Sequence, residues 1–67
     1  MLDGTIKWYN SDKGYGFIQP DKGGADVFVH AIAVEFAGIR QLSAGQALSY
    51  EVMEQLGELS ATDLHVL

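Results

Sequence analysis

Turn-forming residues recur so closely along this chain that only short extended segments fit between them. The strongest signal is Pro20-Asp21-Lys22-Gly23-Gly24, because proline fixes φ and glycine accepts positive φ. Further turns are marked by Asn10-Ser11-Asp12, Gly38, Ala44-Gly45 and Leu56-Gly57. The intervening segments are rich in β-branched and aromatic residues, which predicts five strands at about 3–10, 15–20, 26–30, 46–54 and 58–66.

The segment between the third and fourth strands has a different composition. Residues 31–37 are rich in alanine and predict one short helical turn, followed by a loop to Ser43. Five short strands in 67 residues favour a small closed barrel, since closure removes the exposed edges of an open sheet. A chain of this length allows one domain, so we expect residues 1–67 to form a single all-β unit.

Composition excludes several classes of function. The chain has no cysteine, which removes disulfide frameworks, thiolate zinc sites and cysteine nucleophiles. Its two histidines, His30 and His65, belong to no close-spaced cluster of metal ligands. No metal or cofactor is therefore predicted. The sequence also offers no nucleophile–base pair and no carboxylate dyad, so we expect no enzymatic activity.

The sequence indicates neither membrane insertion nor secretion. The longest uncharged apolar run, Val27–Val34, has 8 residues, whereas a bilayer-spanning helix needs about 18–20. Met1-Leu2-Asp3-Gly4 lacks the basic and apolar regions of a signal peptide. We therefore expect a cytoplasmic protein.

Charge and aromatic side chains are unevenly distributed. The formal net charge of −5 argues by itself against a polyanionic partner. However, residues 1–30 hold three lysines against four aspartates, whereas residues 31–67 hold one arginine against five carboxylates. Residues 1–30 also contain five of the seven aromatic residues. A polyanion could therefore still bind the first half.

The second and third strands alternate between bulky rings and aliphatic side chains, which point to opposite faces. The ring-bearing face comprises Tyr15, Phe17, Phe28 and His30. If Ile18, Val27 and Val29 fill the core, these rings face solvent, and we predict this arrangement. The converse would expose as much apolar area.

Two further features suit a single-stranded nucleic acid. Gly14 and Gly16 interleave with the rings, and we interpret them as keeping the backbone low so that a flat base can approach. Lys7 and Lys13 add ammonium groups, which meet phosphates while the rings stack on bases.

These motifs together resemble a known family over essentially the whole chain. Lys13-Gly14-Tyr15-Gly16-Phe17-Ile18 resembles the first ribonucleoprotein motif of bacterial cold-shock proteins, and Val27-Phe28-Val29-His30 resembles their second. Residues 4–10 are similar to their first strand, and residues 42–46 to the turn that enters their fourth. An RNA-recognition-motif domain fits less well, because Pro20 occupies its final aromatic position and the motif order is reversed.

The resemblance implies a five-stranded antiparallel OB-like barrel that binds single-stranded RNA and DNA and acts as a nucleic-acid chaperone in a stress response. It implies base stacking by Trp8, Tyr15, Phe17, Phe28 and His30, phosphate contacts by Lys7 and Lys13, and base-edge contacts or positioning by Asn10 and Asp26. Simple alternation places Trp8 on the face of core-like Ile6. Its exposure therefore depends on the family pattern or on a local bulge.

The second half of the chain departs from the family pattern. Ala31 and Ile39 stand where the family has aromatic residues. Residues 55–58 lack the basic or polar group common near the last hairpin, and Asp63 lies near the family's asparagine. Each missing ring costs about 1–3 kcal/mol, which predicts affinity below that of a typical member. The alternative is a degenerate cold-shock-like barrel that serves a protein partner or, instead of remaining a monomer, forms a strand-swapped homodimer.

Overall fold

Five strands and one short helix form a closed barrel in the computed structural model, which describes residues 1–55 and 57–67. The elements are β1 (Leu2–Asn10), β2 (Tyr15–Pro20), β3 (Val27–His30), α1 (Ala31–Phe36), β4 (Ala47–Gln55) and β5 (Glu58–Val66). These bounds confirm the predicted strands to within a residue or so, and they confirm the helical turn after the third strand. The predicted turn at Leu56-Gly57 includes Leu56, which lies outside the described residues.

The strands follow the order β1-β2-β3-β5-β4 around the barrel, and β4 pairs with β1 to close it. Neighbouring strands are antiparallel except where β3 meets β5 in parallel, with Phe28 paired to Ser60. Closure leaves each strand flanked on both sides, which confirms the OB-like all-β barrel.

The core consists of inward-facing aliphatic side chains together with one tyrosine. It contains the three residues that alternation assigned to it, Ile18, Val27 and Val29, all essentially inaccessible to solvent. The remaining members are Ile6, Val34, Leu42, Leu48, Tyr50, Ala61 and Leu64. The prediction that the aliphatic faces of β2 and β3 point inward is therefore confirmed.

Helix α1 is hydrogen-bonded to the turn between β1 and β2 at its start and ends in a turn of its own. At its start, the Ala31 N–H donates to the Gly14 carbonyl oxygen at 2.9 Å. At its end, Gly38 adopts a positive φ of 74°, and its N–H donates to the Glu35 carbonyl oxygen at 3.0 Å. Within the helix only Val34 is buried, so its other side chains lie partly or fully in solvent.

In the ranges 1–55 and 57–67 the structure contains no helix of the length and apolarity needed to cross a membrane.

Candidate nucleic-acid interface

The pairing of β2 with β3 brings the predicted rings together on the outer face of the barrel. Tyr15 lies opposite His30, and Phe17 lies opposite Phe28. The pairs that alternate with these, such as Ile18 with Val27, point inward. The outward rings and Trp8 form what we call the aromatic platform, which comprises Trp8, Tyr15, Phe17, Phe28 and His30.

The rings of the aromatic platform contact one another in an unbroken series. The Trp8 ring centroid lies 5.3 Å from that of Tyr15 and 5.4 Å from that of Phe17, both edge to face. Tyr15 stacks on Phe28 at 5.5 Å with an interplanar angle of 13°. Phe28 in turn meets the His30 imidazole at 5.2 Å. These contacts hold the rings in place while leaving them partly accessible, so a ligand does not have to order them.

A β-bulge at Lys7 turns Trp8 outward. Ile6 pairs with Ile18 and Trp8 pairs with Phe17, so Lys7 is one extra residue in β1. The loop before β4 pairs with the backbone beside this bulge: the Ile6 N–H donates to the Gln46 carbonyl oxygen at 2.9 Å, and the Gly45 N–H donates to the Ile6 carbonyl oxygen at 2.7 Å. Ile6 is therefore buried while Trp8 is 41% exposed. Residues two positions apart on a regular strand point to the same face. The bulge therefore explains why Ile6 points inward while Trp8 points outward.

The two glycines between the rings have structural roles, and our interpretation of them as ligand-approach residues is wrong for Gly16. Gly16 points into the barrel, where a Cβ would overlap the Trp8 carbonyl oxygen and lie 2.8 Å from the Tyr9 Cα. It therefore allows the close approach of β1 and β2. Gly14 has a φ of +78°, a conformation that other residues rarely adopt.

The two lysines assigned to phosphates differ in their surroundings. The Lys7 ammonium lies 3.0 Å from the Asp26 carboxylate, and both side chains are roughly half exposed. An exposed pair of this kind contributes little to stability. In the free protein, however, it holds Lys7 beside β3 and offsets its charge. Lys13 is exposed and forms no ion pair with any residue in the described parts of the chain.

Asn10 organises the turn that carries Lys13. Its side-chain carbonyl oxygen accepts hydrogen bonds from the Asp12 N–H at 2.9 Å and the Lys13 N–H at 3.1 Å. This asparagine turn fixes the loop between β1 and β2. Asn10 thus serves as a positioning residue in the free protein.

Four of the nine acidic residues lie on the two strands that carry none of the platform rings. Glu51 and Glu54 lie on β4 and Glu58 begins β5, all exposed. The Glu51 carboxylate meets the N-terminal ammonium at 3.4 Å. Across residues 1–55 and 57–67, no group of three or more histidine or carboxylate side chains is placed to hold a metal ion.

Comparison with known proteins agrees with this geometry. The model of the "'Cold-shock' DNA-binding domain" matches residues 2–67. The chain belongs to the cold-shock domain family. It is 56% identical to the probable cold shock protein y4cH of Sinorhizobium fredii and 54% identical to the cold shock protein CspA of Rhizobium meliloti, in each case over 96% of both chains. It is 50% identical to the cold shock-like protein CspLB of Listeria monocytogenes over 81% of this chain and 80% of that one.

Membership assigns this cold-shock domain to a nucleic-acid-binding, non-enzymatic family. The resemblance that the two ribonucleoprotein-like motifs indicated is thereby confirmed. Which individual side chains contact the ligand stays a prediction for all nine residues named from the motifs.

The two family positions without rings have other surroundings in this cold-shock domain. Ala31 begins α1, and its Cβ lies 3.5 Å from where a side chain on Gly14 would start. Ile39 is partly buried and packs against the core. Neither adds a stacking surface, so the aromatic platform ends at His30 on this side.

Sequence reasoning missed a highly exposed ring. Phe36 lies in the alanine-rich segment, to which the sequence assigns no function, and the structure leaves it 87% exposed. A usable signal was present: a helix of six residues that buries Val34 cannot also bury the face that carries Ile32 and Phe36.

Proposed function

We propose that this cold-shock domain binds single-stranded RNA and DNA and acts as an ATP-independent nucleic-acid chaperone. The supporting observation is the aromatic platform itself, a continuous and partly open set of rings with centroids 5.2–5.5 Å apart along the series. Exposed rings of this kind suit unpaired bases, because every base has a π-face.

The roles of the side chains follow from their chemistry. The platform rings stack on successive bases, while Lys13, which has no described acidic partner, meets a phosphate. Lys7 contacts a phosphate only after separating from Asp26, 3.0 Å away, or by engaging the strand together with it. Asp26 and Asn10 accept hydrogen bonds from base edges or hold the lysines in position.

Affinity is expected to be lower than in a typical cold-shock protein. The net charge of −5 repels a polyanion at long range, and Asp26 offsets one of the two lysines beside the platform. Ala31 and Ile39 supply no rings, and each absent stack is worth about 1–3 kcal/mol.

Weak binding is compatible with a chaperone. Stacking favours unpaired strands over hairpins by mass action, and contacts that exchange rapidly release the strand again. A hairpin carrying a fluorophore and a quencher at its ends should open as protein is added, without ATP. Tight oligonucleotide binding with no hairpin opening would leave a binding protein but exclude the chaperone activity.

Titration of Trp8 fluorescence with a thymine-rich oligonucleotide at low salt tests the binding itself. Trp8 is the sole tryptophan and is 41% exposed within the platform, so base stacking should quench it. Quenching should weaken as salt is added, because phosphate binding releases counterions. No change at high micromolar oligonucleotide would contradict the proposal and favour the alternative of a barrel that serves a protein partner.

A strand-swapped homodimer, a monomeric state and a cytoplasmic location stay predictions. Light scattering distinguishes the first two: a mass near 7.3 kDa indicates a monomer, and twice that mass a dimer.

A further inference from the structure

An apolar groove continues from the end of the aromatic platform. It lies between α1 and β5, has a volume of about 600 Å³, and is bordered by His30, Ile32, Phe36, Met53, Thr62 and His65. This volume falls within the range of about 300–1,000 Å³ that is usual for small-molecule sites. His30 belongs both to the groove and to the platform, where its ring meets Phe28 at 5.2 Å.

The groove is edged by large apolar side chains that the barrel leaves uncovered. Phe36 is 87% exposed, Ile32 59% and Met53 48%. Ile32 and Phe36 are four residues apart on α1, so they share one face of the helix. Exposed apolar side chains that adjoin one another commonly mark a binding surface.

Polar groups in the groove suit the edge of a nucleobase. Ser60 and Thr62 supply hydroxyls and His65 supplies a ring nitrogen, alongside the Phe36 ring and the aliphatic side chains. A base has an apolar face and a polar edge, so it can use both kinds of group. Asp63 also borders the groove, and its negative charge disfavours a phosphate there. A base would therefore enter while the backbone of the strand stayed outside.

We infer that a strand bound on the aromatic platform extends past His30 into this groove, where Phe36 stacks on one further base. The inference rests on the proposed function, because it needs a nucleic acid on the platform. It assigns to Phe36 a stacking surface lying beyond the five rings of the platform.

Continuity with the platform and area favour this occupant over a second copy or another protein. His30 lines the groove and also belongs to the aromatic platform, so a strand on the platform leads into the groove. A stable protein interface covers about 800 Å² on each partner. That area is a large share of the total surface of 4466 Å² and would reach well beyond the groove.

Binding of thymidine oligonucleotides of increasing length, from about four to about ten nucleotides, tests the inference. Fluorescence anisotropy of an end-labelled oligonucleotide would be measured for the wild-type chain, Phe36→Ala, Phe36→Leu and Phe17→Ala. Phe36→Leu keeps apolar bulk and removes the ring. Because Phe36 is 87% exposed, both of its variants should keep the wild-type melting temperature.

The wild-type chain should gain affinity once the oligonucleotide is long enough to enter the groove. Both Phe36 variants should lose about 5- to 30-fold with long oligonucleotides, equivalent to about 1–2 kcal/mol, and nothing with the shortest. Phe17→Ala should lose affinity at every length. This pattern would support the groove as an additional base site.

Three outcomes would overturn the inference, and each has a distinct signature. Unchanged affinity of both Phe36 variants at every length, with normal wild-type binding, removes the groove site but keeps the proposed function. No binding by the wild-type chain removes both. A wild-type dimer by light scattering that Phe36→Ala converts to a monomer would assign the groove to a second copy.

Discussion

The two halves of the barrel both bury apolar side chains on their inner faces but carry different residues on their outer faces. On β2 and β3, aliphatic side chains point inward and aromatic side chains point outward. On β4 and β5, apolar side chains again fill the interior, while Glu51, Glu54 and Glu58 lie exposed. The fold therefore depends mainly on the inward set. The outward set is free to differ, with aromatic rings on β2 and β3 and exposed carboxylates on β4 and β5.

The largest loss of stability is expected for Ile18→Ala, which truncates an inward-facing side chain. Ile18 is fully buried, and its Cγ2 lies only 2.7 Å from where a side chain on Gly4 would begin. Truncation leaves a cavity and should lower the free energy of unfolding by about 2–5 kcal/mol. In a domain this small that is most or all of the stability. Urea denaturation followed by circular dichroism measures it, and a loss under 1 kcal/mol would contradict a tightly packed core at this site.

The neighbouring Phe17→Ala should give the opposite pattern. Phe17 is only partly buried and meets Trp8 and Phe28 across the platform. We expect a loss of about 1–3 kcal/mol in oligonucleotide binding, and a smaller loss of stability than for Ile18→Ala. Phe17→Tyr, which keeps the ring, is the matched control. A large fall in melting temperature with unchanged affinity would assign Phe17 to the core.

The contrast between these neighbours also shows what the sequence could predict. Strict alternation from Tyr15 to Ile18 fixed which side chains are inside and which are outside, because the side-chain period of a strand is two. Trp8 broke that rule, since the extra residue at Lys7 shifts the register and no local signal marks a bulge there. The interpretation of Gly16 as a ligand-approach residue was wrong, because only the packed barrel shows that the close approach of β1 requires a glycine there.

Long-range contacts set the remaining limits of prediction. The pairing of Lys7 with Asp26 joins residues 19 positions apart, and no spacing rule indicates it. The groove beside Phe36 arises because β5 returns next to β3, a neighbour relationship that follows from barrel closure rather than from any motif.

A smaller change in stability is expected when Tyr50 is substituted. This tyrosine makes the interior at β4 different from the purely aliphatic interior at β2 and β3. Tyr50 is fully buried, and its hydroxyl has no hydrogen-bond partner among residues 1–55 and 57–67. An unsatisfied buried hydroxyl is destabilising, so Tyr50→Phe should raise the free energy of unfolding at pH 7 by about 1 kcal/mol. Urea denaturation measures it, and destabilisation by the substitution would show that the hydroxyl is satisfied.

The same substitution should change the dependence of stability on alkaline pH. Burial, followed by the charges of Asp21 and Asp3, raises the pKa of the Tyr50 phenol above that of a free tyrosine. Because the phenol ionises more readily in the unfolded state, the folded protein loses stability as the pH rises above about 10, the pKa of a free tyrosine. The advantage of Tyr50→Phe over the wild-type chain should therefore grow between about pH 9 and pH 11. A constant difference across that range would contradict the burial of this hydroxyl.

The smallest effect is expected on the salt dependence of oligonucleotide binding, and it should differ between the two lysines beside the platform. For a phosphate contact on a single strand, removing the charge lowers the slope of log affinity against log salt by about 0.7. Lys13→Gln should show this change in full, because no described acidic side chain pairs with Lys13. Lys7→Gln should show less, since Asp26 already offsets Lys7 at 3.0 Å in the free protein. In an Asp26→Asn background, Lys7→Gln should then approach the full value, because the carboxylate no longer competes with phosphate. Equal slopes for both lysines in the wild-type background would mean that the ion pair opens freely and does not limit binding.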